Sequence, residues 1–475
     1  MTPAPAVATS ASGSLATSSA APVVVAGSPS TGAGPGDVSR VDASRVDVSC
    51  VDVSCVDLSP GEVGPGDVSS EDVGRRDQGR GDVGPQIPKY RRILSQAQLA
   101  NSIGDGLYLV TSAFYFSQII GLSAAQIGLG LTLGWAVGLV AGVPLGHLAD
   151  RRGPRGVAVL LALTTAVAVG SFLFVGSFVP FVLVACLYGT AQTGLSAARQ
   201  ALLAALIEPA ERTTVRATLQ ATLNGGLAVG AGLGGLALHL GTREGYLAAF
   251  AVDALGFLLA AVLLLRLPSV RTTAAPAGPR LAVLRDRPYA LVTLVNAVML
   301  FYMPLLSLVV PLWIAGRTSA PTWVVAVLLL INTGGVLLFQ VRVAKRVKSL
   351  RDASAAVRRA GMTMFAACAV FALSPYWWGF LLVATALLVA GEMQLASGSW
   401  EIGFGLAPDD RQGQYQGFFG SGVAVARMLG PVVLTTVVLG AGTLGWLLVG
   451  AMFVLAGASM TPAVNRASVN GCGRG

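Results

Sequence analysis

The chain has 475 residues, of which 54% are hydrophobic and only 12% charged, with a formal net charge of +9. Soluble domains carry about 25% charged residues, so the composition excludes an ordinary soluble domain and points to a polytopic helical membrane protein. The positive charge is not a nucleic-acid signal, because Lys and Arg are scattered through short segments between apolar runs instead of forming one basic stripe.

Residues 1–88 differ from everything that follows. They begin as Ala/Ser/Pro/Gly-rich low complexity and continue, from Pro35 to Gly84, in a five-residue period with an acid at every fifth position from Asp37 to Asp82. A pentapeptide-repeat coil needs large residues to fill its interior, and no copy supplies one. The segment therefore reads as a disordered tail. It does not read as a signal peptide, since it lacks a basic start and its apolar stretch Val23–Val25 is short. Arg80-Gly81-Asp82 is a by-product of the repeat.

A membrane span needs about 20 apolar residues. Twelve segments qualify: 97–120, 124–148, 156–177, 179–206, 218–239, 245–266, 289–313, 321–341, 358–374, 377–400, 414–437 and 443–464. The longest internal loop separates the sixth from the seventh. The expected fold is all-α and polytopic. A six-helix half over 89–266 and a second over 289–466 are joined by a cytoplasmic loop at 267–288, and a short cytoplasmic tail follows at 467–475. With a cytoplasmic N-terminus, the inner loops hold Lys89, Arg91, Arg92, Arg151, Arg152, Arg155, Arg212, Arg216 and the later clusters, whereas the outer loops hold only Arg243 and Arg317. This bias places both termini in the cytoplasm of a cell-membrane protein. Trp313, Trp323, Trp377, Trp378 and Trp446 fall at outer span ends, as an interfacial belt would. Five cysteines (Cys50, Cys55, Cys186, Cys368, Cys472) show neither metal spacing nor a disulfide framework, and there are only two histidines. No metal, cofactor or catalytic group is expected.

The loop between spans two and three reads G-H-L-A-D-R-R-G-P-R, from Gly146 to Arg155. Gly146 and Gly153 permit close helix approach and a tight turn. Asp150 sits at a helix end, where it can accept hydrogen bonds from a loop arginine or face the N-terminus of another helix. With its position among twelve spans divided six and six, the loop resembles the G-x-x-x-D-R/K-x-G-R/K-R/K signature of the major facilitator superfamily, through Gly146, Asp150, Arg151, Gly153 and Arg155. Pro154 stands where that family prefers a basic residue. The resemblance covers residues 90–465. It implies a secondary transporter, usually monomeric, whose halves rock about a midplane site. It also implies that this loop latches against the eleventh helix and steadies the outward-facing state.

Span five carries Gly226, Gly230, Gly234 and Gly235 at the spacing of the family's antiporter motif G-x-x-x-G-P-x-x-G-G, with Ala231 in place of the proline. These glycines read either as a leak-limiting packing seam of an exporter or as a generic small-residue interface. The antiporter arginine expected near Gly189 is absent; Arg199, nearer the cytoplasm, reads as snorkelling or pairing with the Asp150 loop. The second half lacks a clean copy of the loop motif.

Ionisable groups inside spans are costly and mark candidate sites. Asp105 in span one reads as a proton- or cation-binding group, or as a packing acid bonded to Asn101. Glu392 in span ten and Arg427 in span eleven come out near mid-membrane and are expected to pair, statically or as a proton-coupled switch. Asp253 and His239 are weaker candidates. Gln192, Asn296 and Gln394, with Asn224 and Asn332, are candidates to line a cavity.

No nucleotide-binding G-x-x-x-x-G-K-[ST] loop is present, so energy would come from protons or another ion gradient. The expectation is proton-coupled efflux of a small hydrophobic or amphipathic compound, similar to drug and macrolide exporters. Metabolite uptake by the same fold is the alternative, and a non-transporting receptor or scaffold is the reading from another class. Neither an enzyme nor a nucleic-acid partner is expected.

Overall fold

The computed structural model describes residues 87–240, 242–270, 281–321 and 323–472. The repeat tail, Cys50 and Cys55 lie outside the described residues, as does the middle of the central loop. The described residues contain helices and no strands. This is what an apolar solvent requires, because an α-helix satisfies its backbone polar groups within one segment.

The first half comprises α1 (Ile87–Phe114), α2 (Ala124–Arg152), α3 (Pro154–Ser171), α4 (Phe178–Leu206), α5 (Pro209–Leu240) and α6 (Arg243–Leu265). In the second half the first pass is broken into α7 (Arg287–Met299) and α8 (Val310–Arg317). The remaining passes are α9 (Trp323–Ala344), α10 (Leu350–Leu373), α11 (Phe380–Gly405), α12 (Gln412–Ala441) and α13 (Thr443–Cys472). All twelve expected spans are thus helical passes.

Ten of the twelve are long and apolar enough to cross a membrane on their own; α1 and α5 are not among the ten. The reason is visible in their sequences. They carry Asn101 and Asp105, and Arg212, Arg216 and Gln220, respectively, and Asn101, Asp105 and Arg216 line an internal cavity. A helix that faces a polar cavity and its neighbours needs less hydropathy than one that faces lipid.

Each half has its own core. Phe116, Phe172, Phe181 and Phe250 are fully buried together in the first, with ring centroids such as Phe116–Phe181 at 4.7 Å. The second is built around Trp313, Phe371, Trp446 and Phe453. Trp313 and Trp446 are 1% and 0% exposed, so they are packing residues and not members of an interfacial belt. The Trp313 indole N–H donates to Ser374 Oγ at 2.9 Å, and Trp446 stacks on Phe371 at 4.8 Å. Trp323 and Trp377, 55% and 59% exposed, fit the belt. Residues 467–472 continue the last helix, since α13 runs to Cys472. Cys368 is buried and free, Cys186 partly buried and free.

The turn after α2 depends on glycine. Gly153 has φ +93°, a region L-residues avoid. Pro154 then opens α3 at its first turn, where a missing N–H costs nothing. Gly153→Ala is expected to cost about 1–3 kcal/mol of stability through backbone strain alone. Thermal unfolding of the purified protein checks this, and an unchanged midpoint would refute it.

Candidate functional site

The two halves are fastened at the face that carries the α2–α3 turn. Asp150, in the last turn of α2, accepts hydrogen bonds from the backbone N–H groups of Gly413 at 2.6 Å and Gln414 at 2.9 Å. These are free amides of the first turn of α12, which have no intrahelical partner. A carboxylate there also meets the positive end of the helix dipole. Of the two roles open to Asp150 from sequence, the structure shows the second. The approach is close because the crossing is made of glycines. A Cβ on Gly146 would collide with the Gly413 carbonyl oxygen, and one on Gly417 with that of Gly142.

The arginines of the motif do not share this contact. Arg151 and Arg152 are exposed. Arg155 Nη2 donates to the Leu265 carbonyl at 2.7 Å, capping the C-terminus of α6 within its own half. Three further contacts join the halves at this end: Thr213 donates to Glu401, Arg212 lies 3.7 Å from Asp409, and the Arg216 guanidinium lies 5.5 Å from the Trp400 ring centre.

Deeper, two chambers of about 290 and 210 Å3 lie side by side between the halves and share Ser196, Gln200, Arg216 and Gln416. The first is lined by Asn101, Asp105, Trp135, Gln192, Arg199 and Arg427. Asp105 accepts from Asn101 Nδ2 at 2.8 Å, and its charge acts on both Arg199 and Arg427. Arg427 crosses from α12 to sit 4.7 Å from the Trp135 ring centre on α2. Arg199 Nη1 reaches Gln98 at 3.5 Å, while its Nη2 is buried without a hydrogen-bond partner.

The second chamber holds Glu392 and Asn296. Glu392 accepts from Asn332 Nδ2 at 2.7 Å and from the Tyr302 hydroxyl. Asn296 Oδ1 accepts from Ser399 Oγ at 2.6 Å. Tyr302 lies in the broken pass, where Leu300–Tyr302 is a 3-10 turn and Leu305–Val309 a π-turn flanking Pro304. The corresponding pass of the first half ends in its own π-turn, Tyr115–Ile119. Local π-turns of this kind cluster at functional sites.

Several expectations change. The Glu392–Arg427 pair is not formed: the residues line different chambers and have the partners just described. Counting residues along the spans gives depth alone, and the direction in which each side chain leaves its helix decides its partner. Arg199 neither snorkels nor joins the Asp150 loop; it lines the chamber with Asp105. Gln192 does line the first chamber, its Nε2 bonded to the Tyr188 hydroxyl at 3.0 Å. Gln394 donates to the Ala390 carbonyl of its own helix at 3.1 Å and is not a lining residue of either chamber.

The span-five glycines pack against α1. Gly226 and Gly230 meet Ser102 and the Ile103 carbonyl, Gly234 meets Val110, and Gly106 answers them by lying against Leu227 and Ala231. Gly235 has open space around it and is not part of the seam. His239 is exposed.

Two residues were undervalued from sequence. Arg216 counted as a loop charge, yet α5 begins at Pro209 and carries it two turns in; its spacing of four from Arg212 and Gln220 was the available signal. Asp253 is 0% exposed, with neither carboxylate oxygen hydrogen-bonded. It packs against Gly104, one residue from Asp105, where a Cβ would come within 2.5 Å of its Oδ1.

The sequence matches the Major Facilitator Superfamily over residues 94–431. The chain belongs to this family of membrane transporters. No curated protein sequence matches it. The fold is similar to that of the human organic anion transporter MFSD10, with 18% identity, a TM-score of 0.61, and coverage of 79% of this chain and 100% of that one. It is also similar to a bacterial homologue of the iron transporter ferroportin in an outward-facing state (14% identity, TM-score 0.65, 80% and 99% covered). A third similar structure is the proton:xylose symporter XylE (14% identity, TM-score 0.64, 79% and 95% covered).

Proposed function

We propose that this chain is a proton-coupled secondary transporter that exports a small hydrophobic or amphipathic compound from the cytoplasm across the cell membrane. One observation carries the reading. Two halves with separate cores enclose a cavity in which a carboxylate, Asp105, faces Arg199 and Arg427. Halves that keep their own packing can rock as rigid bodies, and an acid in the cavity can take up and release a proton with each cycle.

In this reading the face with the arginine-rich loops is cytoplasmic, and both termini lie there. The contact of Asp150 with α12 is the latch that holds the cytoplasmic side shut, with Gly146 and Gly153 giving its geometry. The bonds of Asp150 with Gly413 and Gln414, of Thr213 with Glu401 and of Arg212 with Asp409 all join the halves at that face, which fits an outward-facing state. The glycine seam between α5 and α1 seals the first half against leak. The cavity is complete within one chain, which fits a monomer.

Purified protein in liposomes with an imposed pH gradient tests the proposal. Gradient-dependent accumulation of an amphipathic dye supports it. No movement of any compound in a broad panel would favour the receptor or scaffold reading. Movement only in the direction of proton entry would favour uptake. Glu392→Gln keeps the hydrogen bonds to Asn332 and Tyr302 but removes the charge. It is expected to slow gradient-driven transport about tenfold, equivalent to ~1.4 kcal/mol; a wild-type rate would remove Glu392 from the coupling.

A further inference from the structure

We infer that the first chamber is built to bind an amphipathic organic anion, one carboxylate or equivalent oxyanion on an apolar body. The inference deepens the transporter reading above, and it rests on that reading in taking this cavity as the substrate site.

The charge inventory of the chamber is unbalanced. Its lining contains three arginines, Arg199, Arg216 and Arg427, and a single acid, Asp105. Among the described residues none of the three arginines lies within 4.0 Å of a carboxylate. Each is instead held by neutral groups. Arg199 has Gln98 and leaves Nη2 buried with no partner. Arg216 has the Trp400 ring, 5.5 Å from its guanidinium to the ring centre, with the neutral side-chain amide of Gln200 beside it. Arg427 lies over Trp135 and is exposed to the cavity.

The other buried acids do not restore the balance. Glu392 lines the neighbouring chamber and is occupied by Asn332 and Tyr302. Asp253 lies behind Gly104, outside the lining. Arg199 and Arg216 are partly buried without a carboxylate partner, which is costly, and Arg427 faces the open space between them. Three arginines around one small space, positioned by neutral partners, form a site that is completed by an incoming anion. Guanidinium forks bind planar oxyanions in bidentate fashion, which a neutral or cationic ligand cannot exploit. Beside these charges and amides such as Asn101, Gln192 and Gln416, the wall carries an apolar part formed by Leu203, Leu219, Leu223 and Leu264 with the Trp135 ring. The ligand therefore needs an apolar body beside its charged head. A volume of about 290 Å3 is at the low end for small-molecule sites, which suits a one- or two-ring compound.

The test uses the full-length protein in lipid nanodiscs and three probes of one shape: naphthalene-2-carboxylate, 2-naphthylmethanol and 2-naphthylmethylammonium. Equilibrium dialysis, with empty nanodiscs subtracted, gives each Kd. The carboxylate is expected to bind at least about tenfold more tightly than the other two. Arg216→Gln and Arg427→Gln are each expected to erase that preference, and Arg427→Lys to retain part of it, in variants that keep the wild-type melting temperature. Equal binding of the three probes, tighter binding of the alcohol or the ammonium, binding of none, or an undiminished preference in both Gln variants would overturn the inference. Anion preference without any movement of the probe in liposomes would sink the transporter reading and leave this site standing. Transport without anion preference would do the reverse.

Discussion

Gly146→Val is expected to lower transport at least 100-fold while the protein still inserts and unfolds near its normal temperature. The added side chain collides with the Gly413 carbonyl oxygen, so α2 and α12 must separate. A Cβ on Gly413 would in turn collide with the Gly146 carbonyl oxygen and approach Asp150 Oδ1, so the contact is backbone to backbone from both sides. Separation breaks the bonds of 2.6 and 2.9 Å from Gly413 and Gln414 to Asp150. Hydrogen bonds to a charged group contribute about 1.5–3 kcal/mol each, and the helix-end charge adds about 0.3–1 kcal/mol. Losing about 3–7 kcal/mol from one state shifts a two-state balance by more than a hundredfold. The fold survives because each half keeps its own core. Transport assays in liposomes, paired with thermal unfolding, read the two effects separately. Asp150→Asn is expected to show a smaller loss, about tenfold, since an amide oxygen retains one of the two bonds but not the charge. Wild-type transport by Gly146→Val would show that this crossing is not a latch.

Asp105→Asn is expected to abolish gradient-driven accumulation, by at least about 100-fold, yet leave exchange of substrate down its own gradient within a few fold. The replacement is nearly isosteric, and the Asn101 bond of 2.8 Å has a counterpart in the amide. What disappears is the titratable group and its attraction for Arg199 and Arg427. No other acid lines that chamber, so no neighbour can take over its proton. The variant should also be somewhat less stable, because it removes the one carboxylate whose charge acts on Arg199 and Arg427. Exchange and pH-driven uptake measured on the same liposomes separate coupling from binding. Full gradient dependence in Asp105→Asn would move the proton site elsewhere, with Asp253 the next buried carboxylate to test.

Much of this site was legible because its signals are local. The run from Gly146 to Arg155 fixes a short turn, an acid at a helix end and a glycine pair, all within ten residues. The partner of Asp150 was narrowed to a loop arginine or a helix N-terminus. Only the fold chose between them, by bringing residues 263 and 264 positions away into contact. Glu392 and Arg427 show the opposite outcome. Counting residues places both at similar depth, yet which way each helix is turned is set by packing against three or four neighbours. The turn directs Glu392 to Asn332 and Arg427 to Trp135. The same limit explains Trp313 and Trp446. Position along a span says how deep a residue lies but not whether it faces lipid or protein.

By itself, then, the sequence determined what depends on hydropathy and short-range spacing: twelve passes and the loop motif. These follow from one solvent and from backbone groups that must bond within their own segment. The tertiary structure decided everything that depends on rotation about helix axes and on contacts between the halves. It joined Asp150 to the first turn of α12, separated Glu392 from Arg427, and gathered Arg199, Arg216 and Arg427 around a chamber with one acid. In a membrane no hydrophobic force distinguishes one apolar face from another. Close packing of small residues and hydrogen bonds between helices make that choice, and those contacts join residues far apart in the chain.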